Sequence, residues 1–348
     1  MNTQSPSQVI SRRAVLFGAP AALSIAATFS RAQSSATLLI SHPAFERHDP
    51  GLFIVERPAR EQAIMEALAA ANFGGLVRHE APLRADVLEA IELVHTRGYV
   101  ESLRAHAQDE ARLPFAIDDD TVMSTGSWEA AMRAVGAGLH AVDHVMEAGN
   151  TIKNAFCPVQ PPGHHAEADR AMGFCLFSNI AIAAKYAQDR HGGARVAVID
   201  FDVHHGNGTQ RTFWENKNLF YGSTHEMPLF PGTGSVSEAG VGNIFNAPLK
   251  AGDGSVEFRA AMTERILPAL DEFRPELILI SAGFDAHEGD PLGHTRLHEA
   301  DYTWITQRVM EIADKRCSGR IISMLEGGYV LKDLARSTAA HVSALMSA

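Results

Sequence analysis

The chain is predicted to be an α/β protein: one domain built on a mainly parallel sheet flanked by helices. Three observations predict this. Short β-branched or apolar runs alternate with amphipathic helices, the pattern of βαβ crossovers. No linker, low-complexity segment or internal repeat follows residue 35. Polar clusters follow strand after strand at one edge of the predicted sheet, where chance would send about half to the other edge; ligands of open parallel sheets bind at the carboxyl ends of the strands.

The elements follow in order. Thr37-Leu38-Leu39-Ile40-Ser41 is a first strand, and 57–72 and 83–94 have helical periodicity. Residues 108–125 are polar, with three consecutive aspartates at 118–120, and are expected as a loop. A helix is expected over 126–148. Further strands are expected at 153–157, 195–200, 218–223, 276–281 and 320–325. Helices are expected at 178–190, 208–215, 255–272, 299–315 and 331–346. The segments 158–174, 201–210, 224–254 and 282–298 are long or Gly-rich for plain connections, which marks them for function.

Of 348 residues, 46% are hydrophobic and 20% charged, which excludes wholesale disorder, collagen and coiled coil. The net charge of −11 opposes nucleic-acid binding and suits a small neutral or cationic partner. Paired Arg12-Arg13 precede an apolar run, Ala14 to Phe29, and Ser30-Arg31-Ala32 follows. This layout resembles a twin-arginine export signal cleaved after Ala32, so a periplasmic or secreted protein is expected, with no stable membrane insertion after signal removal. Residues 1–32 carry three Arg and no acid, so their removal takes the charge from −11 to −14. Cys157, Cys175 and Cys317 allow at most one disulfide, and the apolar surroundings of Cys175 favour a buried thiol.

Each long strand end carries a distinctive cluster: Gln160-Pro161-Pro162-Gly163-His164-His165; Asp202-Val203-His204-His205-Gly206-Asn207-Gly208; Gly283-Phe284-Asp285; and Glu326-Gly327-Gly328-Tyr329. Residues i and i+2 at an extended strand end point the same way, so Asp202 and His204 can bind one divalent ion, and Asp285 completes three protein ligands. Open positions remain for water and substrate. Zn²⁺ suits such a site, and the same donors accept Fe²⁺, Co²⁺ or Mn²⁺. A lone Asp-x-His is usually a loop hydrogen-bond pair; here a second histidine, a Gly-Asn-Gly turn and a further strand-end aspartate accompany it. His164 and His165 can serve as general base on a metal-activated water and as a support for charge at the leaving group. Asp200 and Asn207 are candidate orienters. Tyr329 can donate its hydroxyl to a developing oxyanion. No Gly-x-Ser-x-Gly elbow, Walker A loop or Rossmann fingerprint offers a competing chemistry.

These blocks, with Gly173-Phe174-Cys175-Leu176-Phe177-Ser178-Asn179 and Ser281-Ala282-Gly283-Phe284-Asp285, resemble the histone deacetylase / acetylpolyamine amidohydrolase superfamily over about 37–346. Asn207 resembles its class II-type branch. The resemblance implies the arginase–deacetylase fold, a single domain with an eight-stranded sheet. It implies zinc on Asp202, His204 and Asp285, catalysis by His164, His165 and Tyr329, and orientation by Asp200 and Asn207. It further implies an acyl-lysine channel walled by Phe174 and Phe230 with Gly173 beside it. Structural potassium is implied at Asp200, Asp202, His204 and Ser223, with a second site near Phe213. Gln160 departs from the family's usual Arg, which bears on an acetate-release path. Leu292 stands where polyamine-specific relatives place an acidic gatekeeper, so an apolar residue favours acyl-lysine-like or neutral substrates. Loop 42–56 and the acidic run 118–120 are expected near the pocket rim, although such a run taken alone is more often a solvated loop.

The implied function is zinc-dependent removal of an acyl group from an amine. The alternatives are an amidase or esterase for a small xenobiotic or aryl amide, an acetylpolyamine deacetylase, a ureohydrolase of the same fold, which would need more bridging carboxylates, and a non-catalytic acyl-ligand sensor. The oligomeric state is not legible.

Overall fold

Runs such as Leu277–Ala282 are apolar without interruption because both faces of the sheet they enter are covered. The computed structural model describes residues 1–3, 36–51, 54–192 and 194–347. Its strands are β1 (Thr37–Ser41), β2 (Val77–Glu80), β3 (Phe115–Ala116), β4 (Val122–Met123), β5 (Asn154–Cys157), β6 (Val196–Asp200), β7 (Leu219–Glu226), β8 (Ile244–Leu249), β9 (Leu277–Ala282) and β10 (Ile321–Leu325). Eight form one sheet in the order β2-β1-β5-β10-β9-β6-β7-β8, and every pair is parallel. β3 and β4 make a separate antiparallel pair inside the segment expected as a loop.

The helices are α1 (Ala59–Ala67), α2 (Val87–Ile91), α3 (Arg97–Gln108), α4 (Ser127–Met146), α5 (Asn179–Arg190), α6 (Asn207–Phe213), α7 (Ser255–Ala261), α8 (Leu267–Phe273), α9 (Glu299–Cys317) and α10 (Leu331–Leu345). Alternation along the strands divides the core. Leu38, Ile40, Val198 and Leu279 face Val135 and Leu139 of α4 and Ile180 of α5. Leu39, Ile199 and Ile280 face Ile305 and Val309 of α9 and Val342 of α10. The period of two thus serves two cores at once.

Several expectations need correction. β2 was not expected: its sequence Val-Arg-His-Glu is half polar, and its side chains alternate between half-buried and exposed at the sheet edge. β8 was not expected either, because Asn246 and Pro248 interrupt its apolar run. α3 was missed; it is capped by Thr96, whose Oγ1 accepts from the Tyr99 amide at 3.4 Å, and it buries only Val100 and Leu103. The helix expected at 83–94 contracts to α2, and that at 57–72 ends at Ala67. The helix expected at 255–272 is divided by a π turn at Met262–Ile266.

Cys157, Cys175 and Cys317 are all buried free thiols. Among the described residues no helix is long and apolar enough to cross a membrane. The export signal expected at 1–32 lies, apart from residues 1–3, outside the described residues.

Candidate active site

The carboxyl ends of β5, β6, β9 and β10 are neighbours in the sheet, so their four polar clusters meet. Asp202, His204 and Asp285 converge most tightly. His204 Nδ1 lies 3.1 Å from Asp202 Oδ1 and 3.1 Å from Asp285 Oδ2. All three residues are buried. Backbone amides aim the carboxylates: Gly327 N donates to Asp202 Oδ2 at 2.8 Å, and Val203 N to Asp285 Oδ1 at 2.9 Å. The approach demands glycine. A Cβ at Gly283 would stand 2.0 Å from Asp202 Oδ2, and one at Gly327 would stand 2.0 Å from Asp285 Oδ2.

The electrostatics call for a cation. Burial lifts the Asp285 pKa, and the Asp202 charge adds to it, to about 7. Burial opposes a charged His204, but the hydrogen bonds to Asp202 and Asp285 outweigh it and raise its pKa well above the usual value. A proton on Nδ1 and a divalent ion answer the same two negative charges. Two carboxylate oxygens and one imidazole nitrogen, mutually close and closed to no fourth donor, fit an open zinc-type site.

His164 and His165 lie beside this triad with ring centroids 4.0 Å apart and planes tilted by 48°. They differ in their partners. His164 Nδ1 is 3.1 Å from Asp200 Oδ2, and His165 Nδ1 is 2.9 Å from Asn207 Oδ1. Asn207 is itself oriented, donating from Nδ2 to Glu167 Oε1 at 2.8 Å, so its oxygen faces the ring and His165 carries its proton on Nδ1. Its Nε2 lone pair is then free. Burial works against a charge on either ring. For His164 the carboxylates of Asp202, Asp200 and Glu326 win and lift the pKa to about 10. For His165 burial wins, reinforced by His164 and His204, and the pKa falls well below its usual value.

A cleft of about 450 Å³ opens onto His165, His204 and Tyr329. Phe174, Phe230, Gly173 and Leu292 all line it. Phe230 lies edge-on to His165 at 5.0 Å, and Phe174 edge-on to Tyr329 at 5.7 Å. Phe230 is 41% exposed, a large apolar ring left open at the mouth. Ile54 and Val55, from loop 42–56, and Asp119 and Asp120 complete the rim. The acidic run is therefore pocket lip as well as solvated loop. It also fixes the wall: Thr121 Oγ1 accepts from the Phe174 amide at 3.1 Å and donates to Asp120 Oδ1 at 3.0 Å.

Gly173 and Phe174 both adopt the left-handed region, φ 55° and 66°. A Cβ on Gly173 would stand 2.5 Å from His165 Cδ2. Gly173→Ala is expected to displace the His165 ring and lower kcat at least ~10-fold, the cost of roughly 1.4 kcal/mol of lost alignment. Steady-state kinetics beside a thermal melt check this; unchanged kcat would contradict it.

Sequence reasoning missed three supports. Glu326 accepts from the amides of Gly163 and His164 at 2.6 and 3.1 Å and so anchors the histidine turn; burial holds its pKa up, to about 7. Its place at a strand end was the available signal. Arg60 is wholly buried beneath Tyr329, its guanidinium 4.9 Å from the ring centroid, and donates from Nε to the Gly328 carbonyl at 2.7 Å and from Nη2 to that of Glu326. Nothing in the pattern around Arg60 marks it. Gln160, which departs from the family's usual arginine, is buried and donates from Nε2 to the His48 carbonyl at 3.3 Å. His205 and His225 hold the loop that carries Phe230, through Thr233 Oγ1 at 2.7 Å and the Gly234 carbonyl at 2.9 Å. The doubling of His204 by His205 was the signal for the first.

Of the residues expected around potassium, Asp200 and Ser223 are buried register partners across β6 and β7. Phe213 ends α6 with its carbonyl accepting from Asn243 Nδ2 at 2.9 Å.

Comparison with known proteins adds an independent finding. Residues 54–345 match the Histone deacetylase domain family. The chain is 41% identical over 262 residues to "Histone deacetylase 10, chloroplastic" of Oryza sativa subsp. japonica, covering 72% of this chain and 59% of that protein. It is 39% identical over 254 residues to "Histone deacetylase-like amidohydrolase" of Pseudomonas aeruginosa, covering 72% of this chain and 65% of that one. The chain thus spans less than two thirds of either relative's length. The crystal structure of the HDA15 HD domain superposes with a TM-score of 0.81 at 34% identity, covering 90% of this chain and 88% of that chain.

Proposed function

Because this chain belongs to the histone deacetylase family, we propose that it is a zinc-dependent deacetylase that removes the acyl group from an acylated amine, an acyl-lysine side chain fitting best. The observation that carries this reading is the meeting of two differently partnered histidines, the Asp202–His204–Asp285 triad and Tyr329 at one cleft walled by Phe174 and Phe230.

Asp202, His204 and Asp285 would hold the ion. Bound there, a zinc ion supplies a Lewis acid that activates water and polarises the substrate carbonyl; Fe²⁺ or Co²⁺ fits the same donors. His165 takes the proton of the attacking water at Nε2, since Nδ1 is tied to Asn207. Tyr329 donates its hydroxyl to the carbonyl oxygen as charge develops on it. Burial pushes its pKa well above the usual value, so the phenol keeps the proton it must donate. His164, held by Asp200, supports charge beside the leaving group. The C–N bond breaks, the amine leaves with a proton delivered through the histidine pair, and the carboxylate product remains. The aromatic walls exclude water from an aliphatic stem, and Leu292 withholds the carboxylate that a second ammonium would seek. We also propose a potassium ion near Asp200, Asp202, His204 and Ser223, a second near Phe213, and twin-arginine export with cleavage after Ala32.

A panel of an acetyl-lysine fluorogenic peptide, acetylputrescine and an aryl acetamide tests the substrate class. The peptide is expected to give the highest kcat/KM, and Leu292→Glu is expected to shift preference toward acetylputrescine about tenfold, one charge interaction of roughly 1.4 kcal/mol at the lip. Preference for the aryl amide would support the xenobiotic reading. Binding of all three without turnover would leave only a sensor.

A further inference from the structure

A second group of metal-type donors lies away from the cleft. His79 is on the edge strand β2, and His140 and His144 are one turn apart on α4, where residues i and i+4 share a face. Their ligand atoms lie within 4.8 Å of one another. His79 Nδ1 and His140 Nε2 are 3.0 Å apart, and the three ring centroids are separated by 5.3, 5.1 and 4.2 Å. All three side chains are half-buried, so an ion can reach them. Five strand steps separate β2 from β6, about 24 Å at the usual spacing.

We propose that His79, His140 and His144 form a second, non-catalytic site for a borderline divalent transition-metal ion, Zn²⁺ serving as the probe. Two features support it. His144 Nδ1 lies 3.1 Å from the His140 carbonyl; that contact places its proton on Nδ1 and leaves Nε2 with its lone pair, the second-layer arrangement that metal-bound histidines commonly have. Among the described residues, none of the three rings forms an ion pair with a carboxylate, so no anion claims them as cations. Three nitrogens without thiolate or carboxylate select zinc, copper or nickel over calcium or magnesium. An ion there ties β2, whose only strand partner among the described residues is β1, to the long helix that covers the sheet.

The full-length protein is stripped with a chelator, reloaded with zinc, desalted and analysed for metal per chain. The readout is the difference between proteins: the wild type is expected to hold one more ion than His144→Ala or His79→Gln, with turnover unchanged in both. That difference stands whether or not the catalytic triad binds zinc, so the two readings fail separately. Zinc should also raise the Tm of the wild type further than that of either variant. Equal metal content in all three proteins overturns the proposal. Should both variants misfold, anomalous scattering at the zinc edge from wild-type crystals decides: a peak between the three rings supports the site, and its absence overturns it.

Discussion

Asp285→Ala is expected to lose the catalytic ion and, with it, at least ~10³-fold in turnover, because Lewis-acid stabilisation of the reacting oxygens is worth several kcal/mol. Asp285 is one of only two carboxylates in the triad, and its Oδ2 sits 3.1 Å from His204 Nδ1. What remains, Asp202 and His204, is a single chelating pair. The variant also removes the acceptor of the Val203 amide, so its melt is recorded without metal beside the wild type's. Metal analysis should show one ion fewer per chain, while the ion at His79, His140 and His144 stays. A variant that kept its full metal content and its turnover would show that Asp285 is not a ligand.

Tyr329→Phe should lower kcat by ~10²–10³, the loss typical of one oxyanion donor, about 2.7–4 kcal/mol, with KM little changed. The substitution is confined to the hydroxyl. The ring keeps its place over Arg60, 4.9 Å away, and against Phe174, 5.7 Å away. Metal content and Tm should match the wild type, which separates this effect from that of Asp285→Ala. Wild-type kcat in the variant would remove Tyr329 from the reaction.

The central sheet was legible because burial on both faces leaves a continuous apolar run with a polar cluster at its carboxyl end. β1, β5, β6, β9 and β10 begin at or one residue beyond their expected starts. The edges were not legible. β2 alternates Val, Arg, His and Glu because it is the outermost strand, and that pattern carries little apolar signal. β8 carries Asn246, whose Nδ2 donates to Gln210 Oε1 at 2.7 Å; such a partner is set by the fold. In the site, residues that touch the reacting centre stand in dense local motifs, whereas Arg60 acts from 266 positions away through backbone carbonyls of the Glu326-Gly327-Gly328 turn. Asp119 and Asp120, expected near the rim although such a run taken alone is more often a solvated loop, stand at the lip beside Phe174. His140 and His144 share a face of α4 at i and i+4, but His79 lies 61 positions before His140, so no spacing rule joins it to them.

The most direct test is a zinc titration of chelator-stripped protein against an acetyl-lysine peptide. Turnover should vanish on stripping and return in proportion to the ion bound at Asp202, His204 and Asp285, with no recovery in Asp285→Ala. Full turnover by the stripped protein, or none at any zinc loading, would contradict a metal-dependent deacetylase.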